Sequence, residues 1–396
     1  MHIVVLGGGG AMGRITVRAL VEDKRVTRVT VADARPAAAE RALAWLNKGR
    51  DKAAAAACDV RDADGLAALL HGSDSVVNAT DYTFNLEVMR AALSAHVPYA
   101  DLGGLFHMTR RQYELDAAFR AAGLTAVLGI GSTPGITNLL AAIAVESLDR
   151  VERLDVRIGC SDGSVAGDTF VAPYSIRTIF DECTLQPMVY RAGRWSPVAP
   201  MSGQEEVDFP APVGRAVAMH TLHSEVALFP TSYRDRGLRH VSFKIAFPEA
   251  FLAQLKLLVH IGLASTNPVS VRGPAGAVEV APRELAVALL ATQSAPGAGE
   301  LADCDVLRVV ARGTRDERTV ELVEEVVALP YKPWAAAAGD VDTGVPLAIA
   351  GILLASGAVL STGAVGAELA FDPHVFLREL QVFGLRARET VTRSLS

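Results

Sequence analysis

The pattern of apolar residues along the chain changes character once, near residue 148. Before that point, short apolar runs alternate with amphipathic stretches at the short period of a doubly wound α/β sheet. They predict strands near residues 2–7, 28–33, 53–58, 75–79, 97–101 and 125–129, with helices between them. Beyond it, longer segments alternate apolar and polar positions, which places the apolar side chains on one face of a strand. In Val151–Cys160, Leu154, Val156 and Ile158 share one face and Arg153, Asp155 and Arg157 the other. Val217–Phe229, Leu238–Phe247, Asp305–Arg312 and Thr319–Val327 follow the same rule. Helices near 249–263 and 282–293 are suited to cover one face of a mixed or antiparallel sheet.

Past Pro330 the chain is expected to return to the first domain. Asp342-Thr343-Gly344-Val345-Pro346 opens an apolar helix, with Pro346 suited to its first turn, and a last helix runs from about Pro373 to Phe383. The longest apolar run, Val345–Leu360, has 16 residues and is broken by Gly351, Ser356 and Gly357. That is too short for a membrane span and fits a buried helix. The pattern thus divides the chain into an α/β domain over 1–148, an α+β domain over 149–330 and a returning segment over 331–396.

Composition narrows the class. Half of the 396 residues are hydrophobic, enough for more than one core, and the net charge of −6 comes without any basic block that would hold nucleic acid. Cys58, Cys160, Cys183 and Cys304 are scattered without a C-x-x-C pair, as in a reducing compartment. The chain enters a core strand at once, without the features of an export leader. A cytoplasmic protein with neither membrane nor nucleic-acid partner is expected.

The apolar run Ile3–Leu6 leads into Gly7-Gly8-Gly9-Gly10-Ala11-Met12-Gly13 and then a helix. In G-x-G-x-x-G spacing, Gly8 permits the tight turn, Gly10 admits a pyrophosphate to the backbone, and Gly13 lets helix and strand pack closely. Ala11 and Met12 open the helix whose N-terminus completes an anion site. Asp33 lies 20 residues past Gly13 at the end of the second strand, where a carboxylate accepts both ribose hydroxyls of NAD and repels a 2′-phosphate. The first domain therefore reads as a Rossmann-type dinucleotide-binding domain for NAD, with NADP as the second choice because Arg35 lies close by.

Ligands of such sheets lie outside the carboxyl ends of the strands. Asp59 follows the third strand, where it either bonds the adenine amino group or caps the next helix. Asn78 and Thr80 end the fourth, beside the ribose and nicotinamide or, equally, as caps. Tyr99 and Asp101 share one face of the fifth, where a hydroxyl and a carboxylate suit a proton relay or, for Asp101, the capping of a loop.

In the second domain, His220-Thr221-Leu222-His223-Ser224-Glu225 superficially resembles a metal cluster. On a strand, however, His220 and His223 point to opposite faces, so no metal site is expected, whereas Thr221, His223 and Glu225 share a polar face. Lys244, on the face of His240 and Ser242, suits a substrate carboxylate or a solvent-seeking lysine. Arg177 and Asp181 stand four residues apart on a helix that also carries Glu182, and Arg234 follows a strand end; each is suited to a cleft or to an ordinary surface.

Together these pieces resemble the saccharopine dehydrogenase family, and within it the branch containing bacterial lysine 6-dehydrogenase. The likeness is carried by Gly8 to Gly13 with Val31-Ala32-Asp33, by Val97-Pro98-Tyr99-Ala100-Asp101-Leu102-Gly103, and by Gly129-Ile130-Gly131-Ser132-Thr133-Pro134-Gly135-Ile136-Thr137-Asn138. Phe180-Asp181-Glu182, Leu222-His223-Ser224-Glu225 and Asp342-Thr343-Gly344-Val345-Pro346 extend it over nearly the whole chain. It implies an active site between the two domains, a tail that completes the first domain, and a homodimer built through the second-domain sheet. The implied reaction is NAD-dependent oxidation of a C–N bond in a diamino acid, lysine above all. Asp101 or His223 would be the base, with Tyr99 beside it. Arg177, Arg234 or Lys244 would hold the carboxylate, and Asp101, Glu182 or Glu225 the amine. The reverse chemistry, condensing an amine with a carbonyl compound as in saccharopine reductases and carboxynorspermidine-type dehydrogenases, is the second reading. A non-catalytic NAD(P)-binding protein is a distant third.

Overall fold

A computed structural model describes residues 1–165, 169–273, 276–291 and 301–393. Its first sheet is parallel throughout and orders its seven strands Gly363–Val365, Thr125–Val127, Tyr99–Asp101, Ser75–Asn78, His2–Leu6, Arg28–Asp33 and Ala53–Ala57. Ile3, Val4 and Val5 are β-branched and fully buried, as a central strand covered on both faces requires. The strand order reverses between His2–Leu6 and Ser75–Asn78, so the crevice for a dinucleotide opens there.

Six of these strands were expected. The seventh comes from the returning segment, pairing Gly363–Val365 with Thr125–Val127.

The helix that precedes it, Ala338–Ala355, starts before Pro346 and so places that proline in its interior instead of its first turn. Pro346 has no N–H, which leaves the Asp342 carbonyl without its usual intrahelical donor. Tertiary contacts hold the helix in place. Ser75 Oγ donates to the Gly351 carbonyl at 2.8 Å, and Thr16 Oγ1 donates to the Gly344 carbonyl at 2.9 Å. The helix is long and apolar enough to cross a membrane by composition, yet 78% of it is buried inside the fold.

The second sheet is mixed. Its order is Ala387–Arg393, Arg318–Ala328, Asp303–Arg315, Arg150–Asp162, His240–Ala246, Met188–Arg191 and Arg194–Pro197, with only Arg150–Asp162 and His240–Ala246 parallel. Two helices, Glu249–His260 and Pro282–Ala291, correspond to those expected, positions 292–293 lying outside the described residues.

Two further expectations need correction. The tail does not serve the first domain alone, because Ala387–Arg393 pairs with Arg318–Ala328 at the edge of the second sheet. Val217–Phe229 is not one strand either: the strand ends at Ala218 and a helix occupies Glu225–Tyr233. Val226, Ala227, Leu228 and Phe229 are all buried, and a short apolar run buried all round carries no period that separates strand from helix.

The seam between the first domain and the tail depends on Gly344. A Cβ built there meets Ile15 Cβ at 2.7 Å and the Met12 carbonyl oxygen at 2.9 Å. Gly344→Ala is therefore expected to destabilise the protein by about 1–3 kcal/mol through overpacking, read as a lower denaturant midpoint. Because the obstructed helix carries the glycine-rich turn at its start, dinucleotide affinity should fall in the same variant.

Candidate active site

The cofactor end of the crevice is built from close backbone approaches. Gly7 adopts φ +68°, in the left-handed region, and a Cβ there would lie 2.6 Å from the Ala79 carbonyl oxygen. A Cβ on Gly8 would meet Val31 Cγ1 at 2.6 Å and one on Gly13 the Gly7 carbonyl oxygen at 2.2 Å, whereas Gly10 faces only the Gly7 oxygen, at 3.2 Å. The glycines thus leave an open concavity at the start of the helix Ala11–Glu22. The first-turn amides of Ala11, Met12 and Gly13 have no intrahelical acceptor and form the anion cradle a dinucleotide pyrophosphate requires.

Asp33 stands at the edge of this cradle. Its Oδ2 accepts from the Gly9 amide at 3.2 Å and its Oδ1 from the Arg35 amide at 2.9 Å. The Arg35 side chain is 78% exposed, and its Nε lies 3.9 Å from Asp33 Oδ1. Asp59 lies beyond, and its hydrogen bonds to Arg61 hold its carboxyl down at about 2. Asn78 is buried and oriented: Nδ2 donates to Asn85 Oδ1 at 3.0 Å, while Oδ1 accepts from the Thr80 amide and hydroxyl at 3.1 and 2.6 Å.

Tyr99 and Asp101 do meet, at 2.8 Å, yet neither is exposed. Asp101 Oδ1 accepts from the amides of Gly103 and Gly129, both at 2.8 Å, and Oδ2 accepts from the Tyr99 hydroxyl and from Gln112 Nε2 at 2.5 Å. With four donors and no accessible oxygen, this carboxylate has nothing left with which to take a substrate proton. Burial raises its proton affinity above the usual carboxylate range, and the four donors oppose that rise. The geometry corrects the reading of Asp101 as a base in favour of the loop-capping one: it pins the loops after the fifth and sixth strands together.

Those loops deliver Thr133 and Thr137 to the second domain. Both hydroxyls donate to Glu225 Oε1, that of Thr137 at 2.9 Å, and Glu225 Oε2 receives His223 Nδ1 at 2.5 Å. His223 Nε2 in turn faces Glu182 Oε1 at 3.9 Å, beyond hydrogen-bond length, while the Tyr174 hydroxyl donates to Glu182 Oε2. The His223 ring lies flat on Phe243, with centroids 3.8 Å apart and planes at 7°. The Leu222 amide bonds the Glu182 carbonyl at 3.0 Å, tying this loop to the helix Ile176–Thr184.

Burial works to neutralise each of these groups, but their mutual attraction decides two of them. It is overcome at His223, whose proton affinity is raised by Glu225 and then Glu182, and at Glu225, held below the usual range by His223. At Glu182 burial prevails and pushes the carboxyl up to about 7. The three groups therefore comprise an ion pair and one carboxyl poised near neutrality, the arrangement proton transfer at physiological pH calls for.

The remaining candidates lie elsewhere. Arg177 pairs with Glu284 at the surface, and the neighbouring Asp181 takes buried Arg283 at 2.5 Å and Tyr82 from the first domain at 2.8 Å. Arg234 is exposed nine residues along the helix from Glu225, roughly 13 Å away at helical rise. Lys244 sits on the opposite face of its strand from Phe243 and binds Glu205 at 2.6 Å. His220, on which no metal site was expected, turns its Nδ1 to the Phe243 carbonyl at 3.1 Å. Thr133, Thr137 and Tyr174 went unrecognised as site residues. The position of Thr133 just past a strand's carboxyl end was the available signal; nothing local marked Tyr174.

A parallel sheet with this cradle, facing a buried carboxyl–imidazole cluster, defines an NAD(P)-dependent oxidoreductase that acts on CH–NH or CH–NH2 groups. Comparison with known proteins agrees. The family model described as the saccharopine dehydrogenase NADP binding domain matches residues 3–127, and that of the saccharopine dehydrogenase C-terminal domain matches residues 131–385. The chain belongs to the saccharopine dehydrogenase family, and its cofactor is NAD(P). It is 25% identical to carboxyaminopropylagmatine dehydrogenase of Synechocystis, over 99% of this chain and 98% of the relative. It is 26% identical to carboxynorspermidine synthase of Vibrio alginolyticus, over 97% and 96%. Saccharopine dehydrogenase (L-Glu forming) of Saccharomyces cerevisiae shares the fold, with a TM-score of 0.71 and 17% identity over 99% of both chains.

Asp101→Asn turns an acceptor oxygen into a donor facing two donors. The expected cost is about 1–3 kcal/mol for each orphaned group, read in urea unfolding. The acid limb of the turnover pH profile should keep its position, whereas a base at this residue would lose it.

Proposed function

We propose that this protein catalyses the reductive condensation of an aliphatic amine with a carboxylated carbonyl compound, forming a secondary amine. The observation that carries the reading is the Glu182–His223–Glu225 cluster, whose two buried carboxyls and single imidazole suit a cationic amine. No arginine or lysine shares a hydrogen bond with any of the three among the described residues. Two relatives support the substrate class, since both are named for carboxylated amines, and the name synthase of the second supports the direction. They favour condensation over the lysine 6-dehydrogenase-type deamination that the sequence first suggested.

In this reading Glu182, ionised above about pH 7, takes a proton from the substrate ammonium so that the free amine attacks the carbonyl carbon. It returns that proton to the departing hydroxyl, which leaves as water and produces an iminium. Reduced cofactor, when bound, would supply the hydride that converts the iminium to a neutral secondary amine. His223, locked to Glu225, provides positive charge beside Glu182 and orients its free oxygen. Gly8, Gly10, Gly13 and the first-turn amides would hold the pyrophosphate, and Asp33 would hold the adenosine ribose, favouring NAD over NADP.

The test is oxidation of reduced cofactor with a panel of diamines and agmatine, each offered with a carboxylated aldehyde, against lysine with NAD. Fast lysine oxidation without condensation would overturn the assignment. In the productive direction kcat/KM should rise with pH through about 7, as Glu182 loses its proton. Glu182→Gln should remove that limb and lower turnover about 10²- to 10⁴-fold, with reduced-cofactor affinity little changed. Asp33→Ala should weaken NADH binding about 10- to 100-fold and leave NADPH binding less affected, as fluorescence titration would report.

A further inference from the structure

The strand His240–Ala246 has two faces with different surroundings. Phe243 points toward the reaction site, under His223; His240, Ser242 and Lys244 point the other way, into a cavity of about 130 Å³ on the back of the sheet. Four cationic side chains, Arg153, Arg157, Arg191 and Lys244, line this cavity with only two carboxylates, Asp155 and Glu205.

Both carboxylates are engaged. Asp155 accepts from Ser242 Oγ and Arg153 Nε, and Glu205 from Lys244 Nζ at 2.6 Å and from Arg157 Nε and Nη2 at 3.2 and 3.0 Å. Donors are left over. Arg191 and His240 make no side-chain hydrogen bond or ion pair among the described residues, and Lys244 uses one of its three hydrogens. Arg157, Lys244 and His220 are themselves at least nine-tenths buried, so the surplus charge sits partly out of water, where an anion gains most. His220 is held below its usual proton affinity by burial, then by Lys244, Arg157 and Arg191, which registers the same positive field.

We infer that this cavity is a second ligand site, distinct from the reaction site, for a small oxyanion of the phosphate or carboxylate class. Arg191 and His240 hold it at the rim and Lys244 inside. Phe243 links the two sites: its carbonyl takes His220 on the cavity side while its ring supports His223 on the other. Anion occupancy thus has a direct mechanical route to the imidazole of the reaction site.

Calorimetric titration of the NADH-saturated protein tests this, since the bound dinucleotide removes the glycine-rich turn as a competing anion site. Inorganic phosphate and malonate serve as separate probes, with chloride as the control. Saturable binding of either probe, weakened about tenfold or more in both Arg191→Gln and His240→Gln, is the expected result, and the probe that binds identifies the source. Histidine resonances assigned to His220 and His240 should move on titration. No saturable heat with either probe, or binding that both variants leave unchanged, would overturn the site. No substrate is present, so the outcome is independent of the condensation reaction proposed above.

Discussion

Glu225 is a fully buried carboxylate on which the two domains converge. An unpaired charge in that position would cost several kcal/mol. It is stable only because Thr133 and Thr137 come from the first domain to meet it, and because His223 completes its coordination from the same loop. The same demand shapes the candidate site. Once His223 is committed to Glu225, its other nitrogen faces Glu182 across a gap too long for a hydrogen bond, and the carboxyl left over there titrates near neutrality. Burial of one charge and the incomplete satisfaction of another leave a carboxyl that titrates near neutrality, the group proposed above for proton transfer.

Upstream of that contact lies a second buried carboxylate with the opposite fate. Asp101 is saturated by four donors and gives its binding capacity to the loops at Gly103 and Gly129. These loops present Thr133 to Glu225, so Asp101 acts on the candidate site by positioning it. The contrast between Asp101 and Glu182 lies in hydrogen-bond saturation: both are buried, both are shifted upward, and only one retains an oxygen facing a partner it does not yet bond.

The tail knits the assembly together. Gly363–Val365 extends the first sheet, the helix Ala338–Ala355 packs on the dinucleotide-binding helix through Gly344, and Ala387–Arg393 closes an edge of the second sheet. One segment thus stabilises both walls of the cleft. An exposed strand edge on either sheet is covered by the same stretch of chain.

Much of this was legible in residue order. The glycine spacing with Asp33 at its proper distance, the period-two alternation of Val151–Cys160, and the βα rhythm before residue 148 are local patterns, and local patterns specify the element and the cofactor because backbone geometry acts over a few residues. Candidate site residues such as Glu182, His223 and Glu225 were also recognisable by type. Their grouping was not. Whether Asp101 is saturated, whether Lys244 faces His223 or the opposite side of the sheet, and whether residues 225–233 form helix or strand depend on contacts between segments far apart in the chain. The sequence by itself determined a dinucleotide-binding α/β domain joined to a mixed-sheet domain. Only the tertiary structure decided which buried carboxyl keeps a free oxygen, because desolvation and hydrogen-bond saturation are properties of the packed site as a whole.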